Sequence, residues 1–92
     1  MKITFSEAAA DQLIQIYLQG AITFGESQVL KYKAGLEHVL ELISFQPFMG
    51  RRVREEEHLR VFSYGQHLIV YEVRKEEVFI VNFVDARSDY KL

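Results

Sequence analysis

Residues 58–73 read HLRVFSYGQHLIVYEV, and this stretch decides the fold. Apolar and polar residues alternate up to Tyr64, Gly65-Gln66 interrupts them, and a second apolar run opens at His67. Two runs rich in β-branched and aromatic residues around a two-residue Gly-containing break predict a β-hairpin. Ile69, Val70 and Tyr71 are apolar at consecutive positions, as are Phe79, Ile80 and Val81. Such runs predict middle strands covered on both faces, by helices on one side and by something else on the other. "RKEE" at 74–77 is a charged turn into the most apolar strand, "VFIVNFV" at 78–84.

Upstream the period changes. "KITFS" reads as a short first strand, and Ser6 with Glu7 is a helix start. Ala9, Ala10, Leu13, Ile16, Tyr17 and Phe24 then recur at helical spacing, predicting a helix of about 17 residues that Gly25 ends in the left-handed cap conformation. Val29, Tyr32, Leu36, Val39, Leu40 and Ile43 form a second stripe, with Gly35 beside it to let another backbone approach. Pro47 in "SFQPFMG" stops that helix. The short connection makes the helices antiparallel neighbours. The expected architecture is α+β, in the order β-α-α-β-β-β: one domain over 1–92, with a helical hairpin packed on an antiparallel sheet.

Composition narrows the chemistry. Ninety-two residues carry a net charge of −2, whereas a protein that works by gripping phosphates usually has a basic surplus. There is no cysteine, so no disulfide framework or thiolate chemistry; this fits a reducing, cytoplasmic setting. The opening residues lack the apolar run of a signal peptide, and no stretch approaches a membrane span. Phosphate-loop, dinucleotide, zinc-protease and hydrolase motifs are absent. Glu37, His38 and Glu41 share one helix, whereas a di-metal site needs such a set on two, so neither metal nor cofactor is expected.

Two clusters remain. "GRRVREEEHLR" at 50–60 gathers Arg51, Arg52, Arg54 and Arg60, broken by Glu55, Glu56 and Glu57. Arginine forks suit carboxylate or phosphate, while the glutamates can neutralise the patch. Arg60 is the member carried on a strand between Leu59 and Val61, which aims it better than a loop would. The second cluster is the ending "FIVNFVDARSDYKL", where a core strand runs straight into Arg87, Asp89 and Tyr90. Arg60, Tyr64 and His67 on neighbouring strands are expected at the same rim, available for acid–base work on RNA or for anchoring a partner.

With these pieces in order the chain resembles the ParE/RelE toxin superfamily, and its ParE branch most. The resemblance rests on "SEAAADQLIQIY", "FGESQVLKYKAGLEHVLELI", "QPFMGRR", "LRVFSYGQHLIVYEV" and "FIVNFVDARSD". They match a pattern with Arg before Phe, His opening an Ile-x-Tyr strand, and His-x-Arg-x-Asp ending the sheet. Asp85 stands where that pattern has His. The resemblance implies the toxin of a bacterial type II toxin–antitoxin module: a non-enzymatic DNA gyrase inhibitor neutralised by a ParD-like antitoxin. It would bind no DNA sequence by itself. Its contact residues would be Arg51, Arg52, Arg60, Tyr64, His67, Arg87, Asp89 and Tyr90. The alternative within the superfamily is a RelE-like ribosome-dependent mRNA endoribonuclease, using Arg51, Arg60 and Arg87 on the transition state and Tyr90 in proton transfer.

Overall fold

The computed structural model describes residues 1–87. Its elements are β1 (Lys2–Phe5), α1 (Glu7–Phe24), α2 (Glu26–Phe45), β2 (Arg51–Val53), β3 (Glu56–Tyr64), β4 (His67–Val73) and β5 (Glu77–Asp85). The five strands form one sheet in the order β1-β5-β4-β3-β2, with the helical hairpin on one face. The α+β expectation holds. The structure adds the short edge strand β2, and the sheet is antiparallel except at β1, which pairs parallel with β5.

Local chemistry accounts for the boundaries. The Ser6 hydroxyl accepts from the Ala9 N–H at 2.9 Å and donates to the Val81 carbonyl at 2.7 Å, capping α1 and tying it to β5. Gly25 separates the helices alone, at φ 91° and ψ 162°. This is not the left-handed helical cap expected from sequence but an extended positive-φ conformation, essentially confined to glycine. Gly65 takes φ 56° in the β3–β4 turn, as a tight hairpin requires.

The core between helices and sheet contains Ala9, Leu36, Leu40, Ile43, Ile69, Tyr71, Val78, Ile80 and Phe83. Each large aliphatic side chain fully buried here contributes roughly 1.5–3 kcal/mol. The opposite face carries a second cluster of Val53, Leu59, Val61, Leu68 and Val70, with Val81 and Val84 against it. They account for the consecutive apolar positions, since Val70 is buried on this face and Ile69 and Tyr71 on the other. The pairing of β4 with β5 carries a bulge: Val70 pairs with Asn82 and Tyr71 with Ile80, so Val81 is an extra residue. Gln12 steadies that bulge, accepting from the Phe83 N–H at 2.8 Å and donating to Asn82 Oδ1 at 3.1 Å.

Candidate functional site

The two ends of the β3–β4 hairpin carry the polar side chains. At the turn end, Tyr32 of α2, Tyr64 of β3, His67 of β4, and Asp85 and Arg87 at the end of β5 come together. The Tyr32 and Tyr64 rings lie 4.9 Å apart, and the His67 ring meets Tyr32 edge-on at 5.7 Å. The Tyr64 hydroxyl donates to the Tyr32 carbonyl at 3.0 Å. It passes over Gly35, where any side chain would collide with the Tyr64 ring. Gly35 thus admits a tyrosine side chain, not the second backbone expected from sequence.

Tyr32 Oη and His67 Nδ1 are 2.6 Å apart. Burial, reinforced by Tyr64 and Tyr17, pushes the Tyr32 hydroxyl up to about 12. Burial also lowers His67, with Asp85 pulling weakly the other way. Burial favours the neutral form of both groups, and the direction of their hydrogen bond follows the His67 tautomer.

Arg87 stands just outside. Asp85 pairs with His67 across the strands. Its carboxylate accepts from Arg87 Nε at 3.1 Å, Nη2 at 2.9 Å and the Arg87 backbone N–H at 2.8 Å. Those bonds hold the Asp85 carboxyl at about 2, below its ordinary 3.8. The Ala86 N–H donates to the Gln66 carbonyl at 2.8 Å, fixing the backbone one residue earlier. The Arg87 side chain is nevertheless 84% exposed, so it is aimed and still accessible. Asp89 and Tyr90 lie outside the described residues. Beside the rim, between the tip of the helical hairpin and the β3–β4 turn, is an open hollow of about 400 Å³ lined by Tyr17, Phe24, Val29, Tyr32, Gln66 and His67 among others.

Arg60 is at the other end of the hairpin. Four residues of strand, about 13 Å, separate it from Tyr64, so it does not reach the rim where the sequence reading put it. Its Nη1 donates to the Gly50 carbonyl at 2.8 Å and the Phe48 carbonyl at 3.2 Å, and its guanidinium lies 4.9 Å above the Phe48 ring. Next to it the buried Tyr71 hydroxyl donates to the Pro47 carbonyl at 2.8 Å and accepts from the Gly50 N–H at 2.9 Å. Together they clasp the loop that follows α2. Arg52 pairs with Arg60 across the strands, and Arg51, Arg52 and Arg54 are exposed along the sheet edge. The three arginines a ribonuclease would need are therefore divided, with Arg51 and Arg60 at one end and Arg87 at the other. Among the described residues no three His, Asp or Glu side chains gather into a metal-holding group, and no helix is long and apolar enough to cross a membrane.

Two of these roles were hidden in the sequence. Tyr32 read as one more apolar position on α2, and only Gly35 three residues later hinted at an aromatic neighbour. Asp85 read as a departure from a pattern, whereas it is the tether of Arg87.

Comparison with known proteins agrees with this architecture. Residues 3–90 match the family model described as the ParE toxin of the type II toxin–antitoxin system parDE. A solved structure described as the chromosomal ParDE TA system from P. aeruginosa superposes with a TM-score of 0.69 at 17% identity, covering 95% of this chain and 97% of that one. At that identity the likeness speaks for the fold alone. No curated protein matches the sequence.

Proposed function

This chain belongs to the ParE toxin family of type II toxin–antitoxin systems, and from that premise we propose that it inhibits DNA gyrase and is neutralised by a ParD-like antitoxin. It works by binding, in the bacterial cytoplasm, and catalyses no reaction of its own. The observation that carries the binding reading is the separation of Arg51 and Arg60 from Arg87 by the length of the β3–β4 hairpin. Cleaving a phosphodiester is favoured by cations converging on one oxyanion. Here the cations are split between the two ends of the hairpin.

Arg87, exposed and held by Asp85, is the residue we assign to the target, with Tyr64 and His67 forming the wall behind it. Arg51 and Arg52 supply a second, edge contact, and Asp89 and Tyr90 extend the first. Arg60 acts through the loop it holds. The open hollow, with its aromatic walls, takes an apolar side chain of the antitoxin.

Purified protein should inhibit gyrase supercoiling or trap cleaved DNA and should leave mRNA intact on ribosomes. Codon-specific mRNA cleavage that disappears with Tyr90→Phe would replace this reading with the endoribonuclease one. Co-expression with the product of the adjacent reading frame should give a stable complex, and a filled hollow should make Gln66→Trp block it.

A further inference from the structure

Strand β2 sets two arginines side by side. Arg52 pairs directly with Arg60 across β2 and β3, so both side chains stand on one face of the sheet. Arg60 pairs in turn with Tyr71, a core residue on the helical side. Arg51 pairs with Val61 of the second cluster and belongs to the opposite face. Directly opposed residues have Cβ atoms about 5 Å apart, and like charges placed so repel. Among the described residues no carboxylate relieves them. Arg52 and Arg60 form no ion pair, and Glu56 is turned to His58 at 3.6 Å.

Such a pair suits an anion. Arg60 is anchored through Nη1 alone, to the carbonyls of Phe48 and Gly50. Its Nε and Nη2 make no hydrogen bond among the described residues, and the exposed Arg52 side chain makes none. One fixed fork and one unengaged fork match the oxygens of a carboxylate or a phosphate. Phe48, whose ring lies 4.9 Å from the Arg60 guanidinium, is 66% exposed and adds an apolar shelf. The surroundings choose between the two anions. No acid occurs from Leu42 to Arg54, but Glu55, Glu56 and Glu57 follow at once and are exposed. They begin within about 10 Å of Arg52 along the chain. A nucleic acid carries one charge per roughly 1.7 Å of duplex, so its next phosphates would meet those glutamates. A lone carboxylate would not.

We propose that Arg52 and Arg60 clamp a single Asp or Glu side chain of the antitoxin, with an apolar neighbour of that residue seated on Phe48. The clamp rests on the neutralisation by an antitoxin read above and gives it a means. A carboxylate held there withdraws Arg52 from the gyrase contact and relieves the repulsion between the two guanidiniums.

The complex with the product of the adjacent reading frame, measured by calorimetry, tests this. Arg52→Glu should weaken it by about 30-fold or more, as when a hydrogen-bonded charge pair at an interface loses one partner. Arg52→Lys, which keeps the charge and loses the fork, should fall between. Both variants should unfold in urea at the midpoint of the parent chain, since the Arg52 side chain is exposed and bonds to nothing. Changing the partner's acids to lysine one at a time should find one change that restores binding to Arg52→Glu and weakens binding to the parent. An Arg52→Glu chain that binds at full strength, or a scan with no rescuing acid, would overturn the clamp alone. A parent chain that forms no complex would remove the antitoxin reading and the clamp with it. Mixed-sequence DNA that binds the parent and not Arg52→Glu, with the protein complex unaffected, would give the pair to phosphate instead. A complex that meets these expectations from a chain that does not inhibit gyrase leaves the clamp standing and removes only the target.

Discussion

The two ends of the β3–β4 hairpin use the same residue types for opposite purposes. Each has a tyrosine hydroxyl and an arginine with three or four polar contacts between them. At the loop end, Tyr71 and Arg60 spend their bonds on main-chain atoms of Pro47, Phe48 and Gly50. A carbonyl cannot move away without the chain, so these bonds hold a loop. At the turn end, the bonds run mostly between side chains: Tyr32 with His67 and Arg87 with Asp85. Those groups are half-buried or exposed and include two whose protonation lies well away from its ordinary range. The lesson is that an arginine on a strand is not a contact residue by virtue of its position. What it bonds to decides whether it is structure or surface.

The largest expected effect is at the loop end. Tyr71→Phe keeps the ring and removes the hydroxyl, leaving the Gly50 N–H and the Pro47 carbonyl without their partner in a buried setting. That should cost about 2–3 kcal/mol, a large share of the roughly 5–15 kcal/mol that holds a small domain together. Urea unfolding would show it as a lower midpoint at unchanged slope. Arg60→Ala should follow at about 1–2 kcal/mol, since it removes two charge-assisted bonds and the contact with Phe48. If Arg60→Ala instead leaves the midpoint untouched while growth inhibition disappears, the division between the two ends fails.

His67 tests the turn end by acidity. Its folded pKa lies below the ordinary 6.5, so on acidification the unfolded chain takes up a proton before the folded one does. Stability linked to His67 is therefore complete above about pH 6.5 and falls as the pH drops from there toward the folded value. Melting temperature should decline as the pH falls below about 6.5, and His67→Gln should flatten that decline. Asp85 does not interfere, because its folded value near 2 places its loss of stabilisation below the ordinary 3.8. The smallest expected change in stability is that of Arg87→Ala, within about 0.5 kcal/mol as for other exposed positions. Growth inhibition should nevertheless fall. A fully toxic Arg87→Ala protein would make the rim a spectator.

Much of the fold was legible because local rules agreed with it. Gly65 marks the hairpin, Ser6 and Gly25 mark the ends of α1, and consecutive apolar residues correctly announced a sheet buried on both sides. What escaped had no local trace. Strand β2 is three residues long, and two of them are exposed arginines, so only Val53 carries the buried position that would betray a strand. The parallel pairing of β1 with β5 joins residues some seventy positions apart, beyond the reach of any periodicity. At the site, the Arg87 rim was readable from its place after the last strand, and its bond to Asp85 spans only two residues. Arg60 was misplaced because its partners are loop carbonyls, which no side-chain pattern reveals. Tyr32 was hidden because an aromatic at helical spacing looks like core.

The pairing of β1 with β5 also sets the moment at which the molecule can exist. Lys2 to Phe5 are made long before their partners, Glu77 to Ile80. Until those partners leave the ribosome, β1 has no neighbour in the sheet, and Ser6 lacks the Val81 carbonyl to which it anchors α1. Contacts of such sequence separation also close slowly. A chain whose synthesis stops before the codons of β5 therefore keeps the pairing of β2, β3 and β4 but can seat neither β1 nor the start of α1 on the sheet. Completion of the fold waits on β5, however early β1 is made.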